Sequence, residues 1–231
     1  MDSTRAGNQA RHYGGTSSQT AMRLLVILDV LGTPPSPGSP DTAVSVVASL
    51  TRLAKLDFWL RNPDYLADDL LTDFDDGLIA RADIEAHITR MLSSGAPSLH
   101  RYPMRRYFFG AYDRIDDALA ILKSYGQIAH RRNHESGTKS RRDYFLLEAG
   151  KESVERMRAD IPELHWYDEQ AHAISLIADA SQGASARRRQ YQHPEYEEAE
   201  HGLLIPAITE RVIARATASN FSITVSPGVD S

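Results

Sequence analysis

The stretch "SYGQIAHRRNHESGTKSRRDYFLLEAGKE", residues 124–152, constrains the fold more tightly than any other part of the chain. A helix over 113–125 ends at Gly126, the residue type best suited to a left-handed helix terminus. "QIAHRR" and "SRRDYFLL" read as strands on either side of the polar turn "NHESGTK", and a new helix through Met157 follows Gly150. Ile115, Ala118, Leu119, Leu122 and Tyr125 form the inward stripe of the helix before the hairpin. Helix, strand, turn, strand, helix is the order of a winged helix-turn-helix, with the hairpin as its wing.

The flanking segments are helical by pattern. Residues 20–32, capped by Ser18 or Thr20, carry Leu24, Leu25, Ile27, Leu28 and Leu31. "GTPPSPGSP" (32–40) breaks that helix, and Ser39 or Asp41 opens a long one through Val44, Val47, Leu50, Leu53, Leu56 and Leu60. Residues 64–85 are rich in aspartate; the run 64–76 reads as a solvated loop with a turn at "DFDDG", and 82–92 as a helix. "RRYFFGAY" suits a short strand ended by glycine, and helices are expected at 164–181, 184–192 and 205–217. The fold class is therefore mainly α with a small β-hairpin wing, a winged helix-turn-helix plus additional helices. The expected organisation is a disordered tail over 1–18, a helical subdomain over 19–96, a winged-helix region over 97–160, a helical region over 161–217 and a flexible tail over 218–231.

Charge bears directly on what such a fold touches. The formal net charge is −5, so any attraction to DNA has to come from a local patch. Arg131, Arg132, Lys139, Arg141 and Arg142 supply one on or beside the hairpin. Side chains alternate between the faces of a strand, so one arginine of each adjacent pair faces solvent. These residues suit phosphate contacts, which give affinity without sequence readout, or they simply blunt an exposed strand edge. The helix before the hairpin is the one that would enter a major groove, and its outer face carries Asp113, Asp116, Asp117, Ala120 and Ser124. Carboxylates aimed at a polyanion make a poor reading head. They suit a basic protein surface, with Tyr107, Phe108 and Tyr112 as bulky anchors nearby.

No catalytic constellation is legible. The chain has no cysteine, which removes disulfides, thiol nucleophiles and cysteine-based zinc sites and fits a reducing cytoplasm. Neither G-x-x-x-x-G-K-[ST] nor G-x-S-x-G occurs. His193, Glu197 and His201 fall at four-residue steps, but Gly202 ends any helix there, and no metal or cofactor is expected. The apolar run 21–32 is too short to span a bilayer and carries Arg23 and Asp29, and no signal peptide is convincing at the N-terminus. Within "LDFWL" the aromatics read as core packing, whereas an exposed Trp59 or Phe108 would mark a partner surface.

"RLAKLDFWLRNPDYL" (52–66), "RRYFFGAYDRIDDALAILKSYG" (105–126), the hairpin and "YQHPEYEEAEHGLLIP" (191–206) resemble, in order and spacing, the small middle subunit of bacterial anti-phage systems of the Lamassu and ABC-three-component kind. The resemblance implies a non-catalytic winged-helix adaptor that sits on the head region of an SMC-like or ABC ATPase and couples DNA sensing to an effector subunit, often a nuclease. It transfers no catalytic residues. Double-stranded DNA would be contacted weakly and without sequence preference. Only one winged unit is clear in the sequence, and nothing marks the N-terminal half as a second. The alternative is a free winged helix-turn-helix transcriptional regulator dimerising through its long helices.

Overall fold

The computed structural model describes residues 16–93, 106–107, 110–111, 115–133, 141–177, 193–198 and 203–224. Helix α1 (Ser17–Leu31) runs through the centre of the core, and Leu24, Val26, Ile27 and Leu28 are all fully buried. Its cap is Thr16 and not the expected Ser18 or Thr20. The Thr16 hydroxyl accepts from Gln19 N at 3.1 Å, and the Gln19 side chain accepts from Thr16 N at 2.8 Å, a reciprocal capping box. The chain turns at Gly32, where a Cβ would stand 2.4 Å from the Leu28 carbonyl and 2.7 Å from Ser45. That close approach lets Ser45 Oγ donate to Leu28 O at 2.6 Å.

The long helix expected from Ser39 or Asp41 divides in two. Ala43–Ala48 form strand β1, and α2 (Leu50–Arg61) begins only after Ser49, which sits at φ 70° and accepts from Arg52 N. Val44 and Val47 fit a helical step, but in "AVSVVA" burial falls on Ser45 and Val47, the two-residue period of a strand. Three valines in six residues pack well on a pleated surface, and β1 has β5 to pair with.

The aspartate-rich run is likewise not a solvated loop. Pro63 stands at the first position of α3 (Pro63–Asp75), and Asp64, Asp68, Asp69 and Asp73 are buried on it beside Tyr65, Leu66, Leu70 and Leu71. The turn expected at "DFDDG" begins where α3 stops, with Gly77 at φ 71°. Helix α4 spans Arg81–Leu92, and the ribbon β2 (Arg106–Tyr107) and β3 (Gly110–Ala111) occupies the expected aromatic strand region.

Helix α5 (Asp116–Ser124) buries Ala118, Leu119 and Leu122, with Ile115 buried just before it. Tyr125, expected inward, is 73% exposed. The helix ends one residue earlier, and the reversal at Gly126 (φ 64°) leaves the ring outside the inward stripe. Strands β4 (Ile128–Asn133) and β5 (Arg141–Leu147) form the hairpin, and β1 adds to it antiparallel in the order β1–β5–β4. Helix α6 (Glu148–Asp160) starts directly from β5. Gly150 in its first turn is required by space, because a Cβ there would meet the Gln127 carbonyl at 2.3 Å.

The chain continues as α7 (Leu164–Ser175), the short α8 (Pro194–Glu198) and α9 (Thr209–Ala218). Residues 205–208 form no regular element, so α9 starts later than expected, and the expected helix 184–192 lies outside the described residues. Helix α1 packs against α2, α5, α6, α7 and the sheet. The expected segments 19–96, 97–160 and 161–217 therefore all contribute to one hydrophobic cluster, and the first two share one sheet. Among the described residues no helix is long and apolar enough to cross a membrane.

Candidate functional site

The hairpin sorts its charges by face. In the register of β4 against β5, Arg131 lies opposite Asp143, Arg132 opposite Arg142, Asn133 opposite Arg141 and His130 opposite Tyr144. On one face the charge is satisfied internally. Arg141 Nε donates to Asp143 Oδ1 at 2.8 Å, Asn133 Nδ2 donates to Asp143 Oδ2 at 3.1 Å, and Arg131 donates to the Gly38 carbonyl. On the other face Arg132 and Arg142 are both exposed, and among the described residues no carboxylate pairs with either. All four described arginines of the patch are exposed; two are engaged by Asp143 or Gly38 and two have no carboxylate partner among the described residues, with Lys139 outside the described residues.

Arg132, Arg141 and Arg142, with Tyr144 and Leu50, line a groove of about 410 Å³ between the hairpin and the start of α2. Burial lowers the pKa of His130, and the positive charges of Lys123 and Arg142 lower it further. Burial raises that of Tyr144; Arg142 opposes the rise and Asp116 adds to it.

Helix α5 presents Asp116, Asp117, Ala120, Lys123 and Ser124 to solvent. Its two aspartates lie in the first turn and complement the helix dipole, and Lys123 lies in the last. The exposed face is therefore acidic at its beginning and basic only where it meets the hairpin. Of the other expected interface residues, Tyr107 has its backbone in β2, while Phe108, Tyr112 and Asp113 lie outside the described residues. Trp59 is 3% exposed and donates its indole N–H to Asp69 at 2.7 Å, which makes it core and not a partner surface.

A second charged cluster, centred on His193 and Asp68, matches no sequence motif. His193 is buried between two carboxylates, Nδ1 at 3.2 Å from Asp68 and Nε2 at 3.2 Å from Asp69, with the Tyr65 ring edge-on at 5.1 Å. Asp68 also receives Arg211 at 3.0 Å and Arg215 at 2.7 Å, and these arginines reach on to Glu195 and Asp75. Asp64 accepts from the Ile208 amide at 2.8 Å, and the Tyr65 hydroxyl donates to Pro206 O at 3.0 Å. Burial alone would lower the His193 pKa; hydrogen bonds to Asp68 and Asp69 outweigh it and raise it to about 9. Burial acts to raise the Asp68 pKa, but bonds from His193 and Arg215 hold it well below the usual carboxylate range. His193 is thus committed to α3; the Glu197 side chain and His201 lie outside the described residues, and among the described residues no set of three such side chains converges on a metal position. The signal in the sequence is the four-residue spacing of Arg211 and Arg215, which puts both on one face of α9 and brings both to Asp68. This cluster fastens the segment from 193 onward to the body of the fold.

Comparison with known proteins adds no relative: no family model, no curated protein and no solved structure matches the chain.

Proposed function

We propose that the chain is a non-catalytic winged-helix adaptor subunit of an SMC-like or ABC ATPase assembly, of the Lamassu and ABC-three-component kind, which couples DNA sensing to an effector subunit. The observation that carries this reading is the exposure of Asp116 and Asp117 on α5, the helix directly before the hairpin. In a base-reading protein that position supplies Arg, Lys, Asn or Gln to the major groove, and carboxylates there repel phosphate. An acidic face suits docking on a basic protein surface, where complementary charge steers and orients association.

The winged-helix part of the reading draws support from chain order. Helix α1, strand β1, helix α2, then α5, β4 and β5, with β5 central in the sheet, is a winged-helix order with α3 and α4 inserted. On this reading the N-terminal half supplies the first helices and strand of the single winged unit. Saturation of Asp68 by three cations, and of Asp69 by His193 and Trp59, leaves neither poised for proton transfer, which agrees with a binding role.

Purification of the tagged chain from its native host, with mass spectrometry of what accompanies it, tests the proposal. A stoichiometric coiled-coil ATPase is the expected companion. Recovery as a lone homodimer bound tightly to one operator sequence would instead establish the regulator.

A further inference from the structure

The two edges of the three-stranded sheet differ in how their backbone groups are satisfied. Leu147 N donates to Gln127 O at 3.0 Å, and in this register hydrogen-bonded pairs recur at every second residue. They are Ala129 with Phe145, Arg131 with Asp143 and Asn133 with Arg141. The backbone N–H and C=O groups of Ile128, His130 and Arg132 therefore point away from β5. On the opposite edge the outward groups of β1 are closed at Val46, which exchanges two hydrogen bonds with Thr33, both of 2.9 Å. Nothing does this for β4. Among the described residues no group bonds to its outer edge, and its main packing neighbours are β5 and α5. Ile128 is buried where the turn from α5 enters the strand, but His130 and Arg132 are both exposed.

An open strand edge is a template for another strand. His130 and Arg132 offer two N–H donors and two C=O acceptors in alternation. A phosphate or a nucleic-acid backbone brings acceptors, so it engages the arginine side chains but leaves the two carbonyls unmatched. An extended peptide matches both kinds of group. The charges around the edge select the sign of that peptide. Arg131 and Arg132 are exposed on the strand itself. Burial is the largest cause of the lowered His130 pKa, and the positive charges of Lys123 and Arg142 add to it. Of the carboxylates nearby, Asp143 is buried and bonded by Arg141 and Asn133, and Asp116 acts on Tyr144 from the head of α5. A second copy of β4 would bring the same positive cluster onto one short ribbon, and like charges across a strand pair are destabilising. A strand rich in Glu or Asp replaces that repulsion with attraction.

We propose that the outer edge of β4 is a strand-addition site for an acidic, extended segment of a partner protein, with the backbone of His130 and Arg132 forming the ladder and the Arg132 side chain receiving a carboxylate. Side chains alternate along an added strand, so acidic residues at every second position share the face of His130 and Arg132. Charge-assisted bonds to a guanidinium then add to the backbone bonds. This site is separate from the α5 face, and the two proposals fail separately: strand addition needs no ATPase, and docking through Asp116 and Asp117 needs no free edge.

The test titrates the full chain with an acetylated and amidated heptapeptide of alternating glutamate and valine, followed by calorimetry and by amide hydrogen exchange read by NMR. Saturable binding at one per chain is expected, with exchange at the His130 and Arg132 amides slowed by about tenfold or more. The Arg131 amide, which faces Asp143 in the existing ladder, should not change. A fully N-methylated heptapeptide keeps the charges but donates no backbone hydrogen bond, and a lysine-for-glutamate version keeps the backbone but reverses the charge. Each should bind about tenfold or more weakly. His130→Pro should weaken binding similarly, because it removes an outward N–H and leaves the bonds to β5 intact. The peptide controls use the unaltered protein, so they decide the matter even where that variant folds poorly. Equal binding of the N-methylated or the lysine peptide, or no binding of the glutamate peptide, would overturn the assignment. So would concentration-dependent protection of the same two amides in the free chain, which would identify a second copy, or their protection by duplex DNA and not by the peptide.

Discussion

Between pH 6.5 and 9.5 rising pH should loosen this protein through His193. The folded state raises its pKa from 6.5 to about 9, because Asp68 and Asp69 each stand 3.2 Å from a ring nitrogen. The folded chain therefore holds this proton more tightly than the unfolded chain does. The stabilisation is complete below pH 6.5 and is lost as pH rises through about 9. At about 1.4 kcal/mol per pH unit, that rise is worth about 3 kcal/mol. For a chain of this size 1 kcal/mol moves Tm by roughly 2–4 °C, so Tm should fall by roughly 6–12 °C as pH rises past 9. His87 and His130 do not imitate the effect. Their pKa values are lowered, first by burial, so they act as pH falls, below the window of His193. His193→Ala should cost about 3 kcal/mol, the lower end for breaking a buried pair, since Asp68 keeps Arg211 and Arg215 and Asp69 keeps Trp59. Thermal melts followed by circular dichroism between pH 6 and 10 measure both quantities. A wild-type Tm that stays level from pH 6.5 to 9.5, or a His193→Ala protein with the same alkaline decline, would refute the reasoning.

Gly150→Ala should destabilise by about 1–3 kcal/mol in denaturant titration, because its Cβ meets the Gln127 backbone carbonyl at 2.3 Å and backbone must move; an unchanged midpoint would show that α6 does not seat so closely. Duplex DNA should bind weakly, without sequence preference and with steep salt dependence, and Arg132→Ala or Arg142→Ala should each reduce the log–log salt slope by about 1. Arg131→Ala and Arg141→Ala should reduce it less, since Gly38 and Asp143 already hold those side chains.

The hairpin, its flanking helices and the glycine turns were legible because local signals agree there: β-branched and aromatic strands, a polar turn, and Gly126 at a helix end. Residues 41–48 were misread because Val44 and Val47 satisfy a helical step as well as a strand, and only the pairing with β5, about a hundred residues away, decides between them. The aspartates of α3 were misread for a related reason. Charge in a sequence implies solvent unless its counter-charge is known, and His193, Arg211 and Arg215 arrive from more than 120 residues downstream. The alternation rule correctly placed the adjacent arginines on opposite faces. It did not reveal that Asp143 and Gly38 engage one face and leave the other open.

The central claim is that the acidic head of α5 is a protein-docking surface. It is tested most directly by co-expressing the chain with the products of its flanking genes, with and without Asp116→Arg and Asp117→Arg. Both residues are exposed, but both lie in the first turn of α5, so reversing each charge against the helix dipole should cost about 0.5–2 kcal/mol per site, and thermal melts should show the double variant still folded. The docking account predicts that the unaltered chain co-purifies with the ATPase and that the charge-reversed chain separates from it while gaining affinity for DNA. Undiminished co-purification of the charge-reversed chain would contradict it.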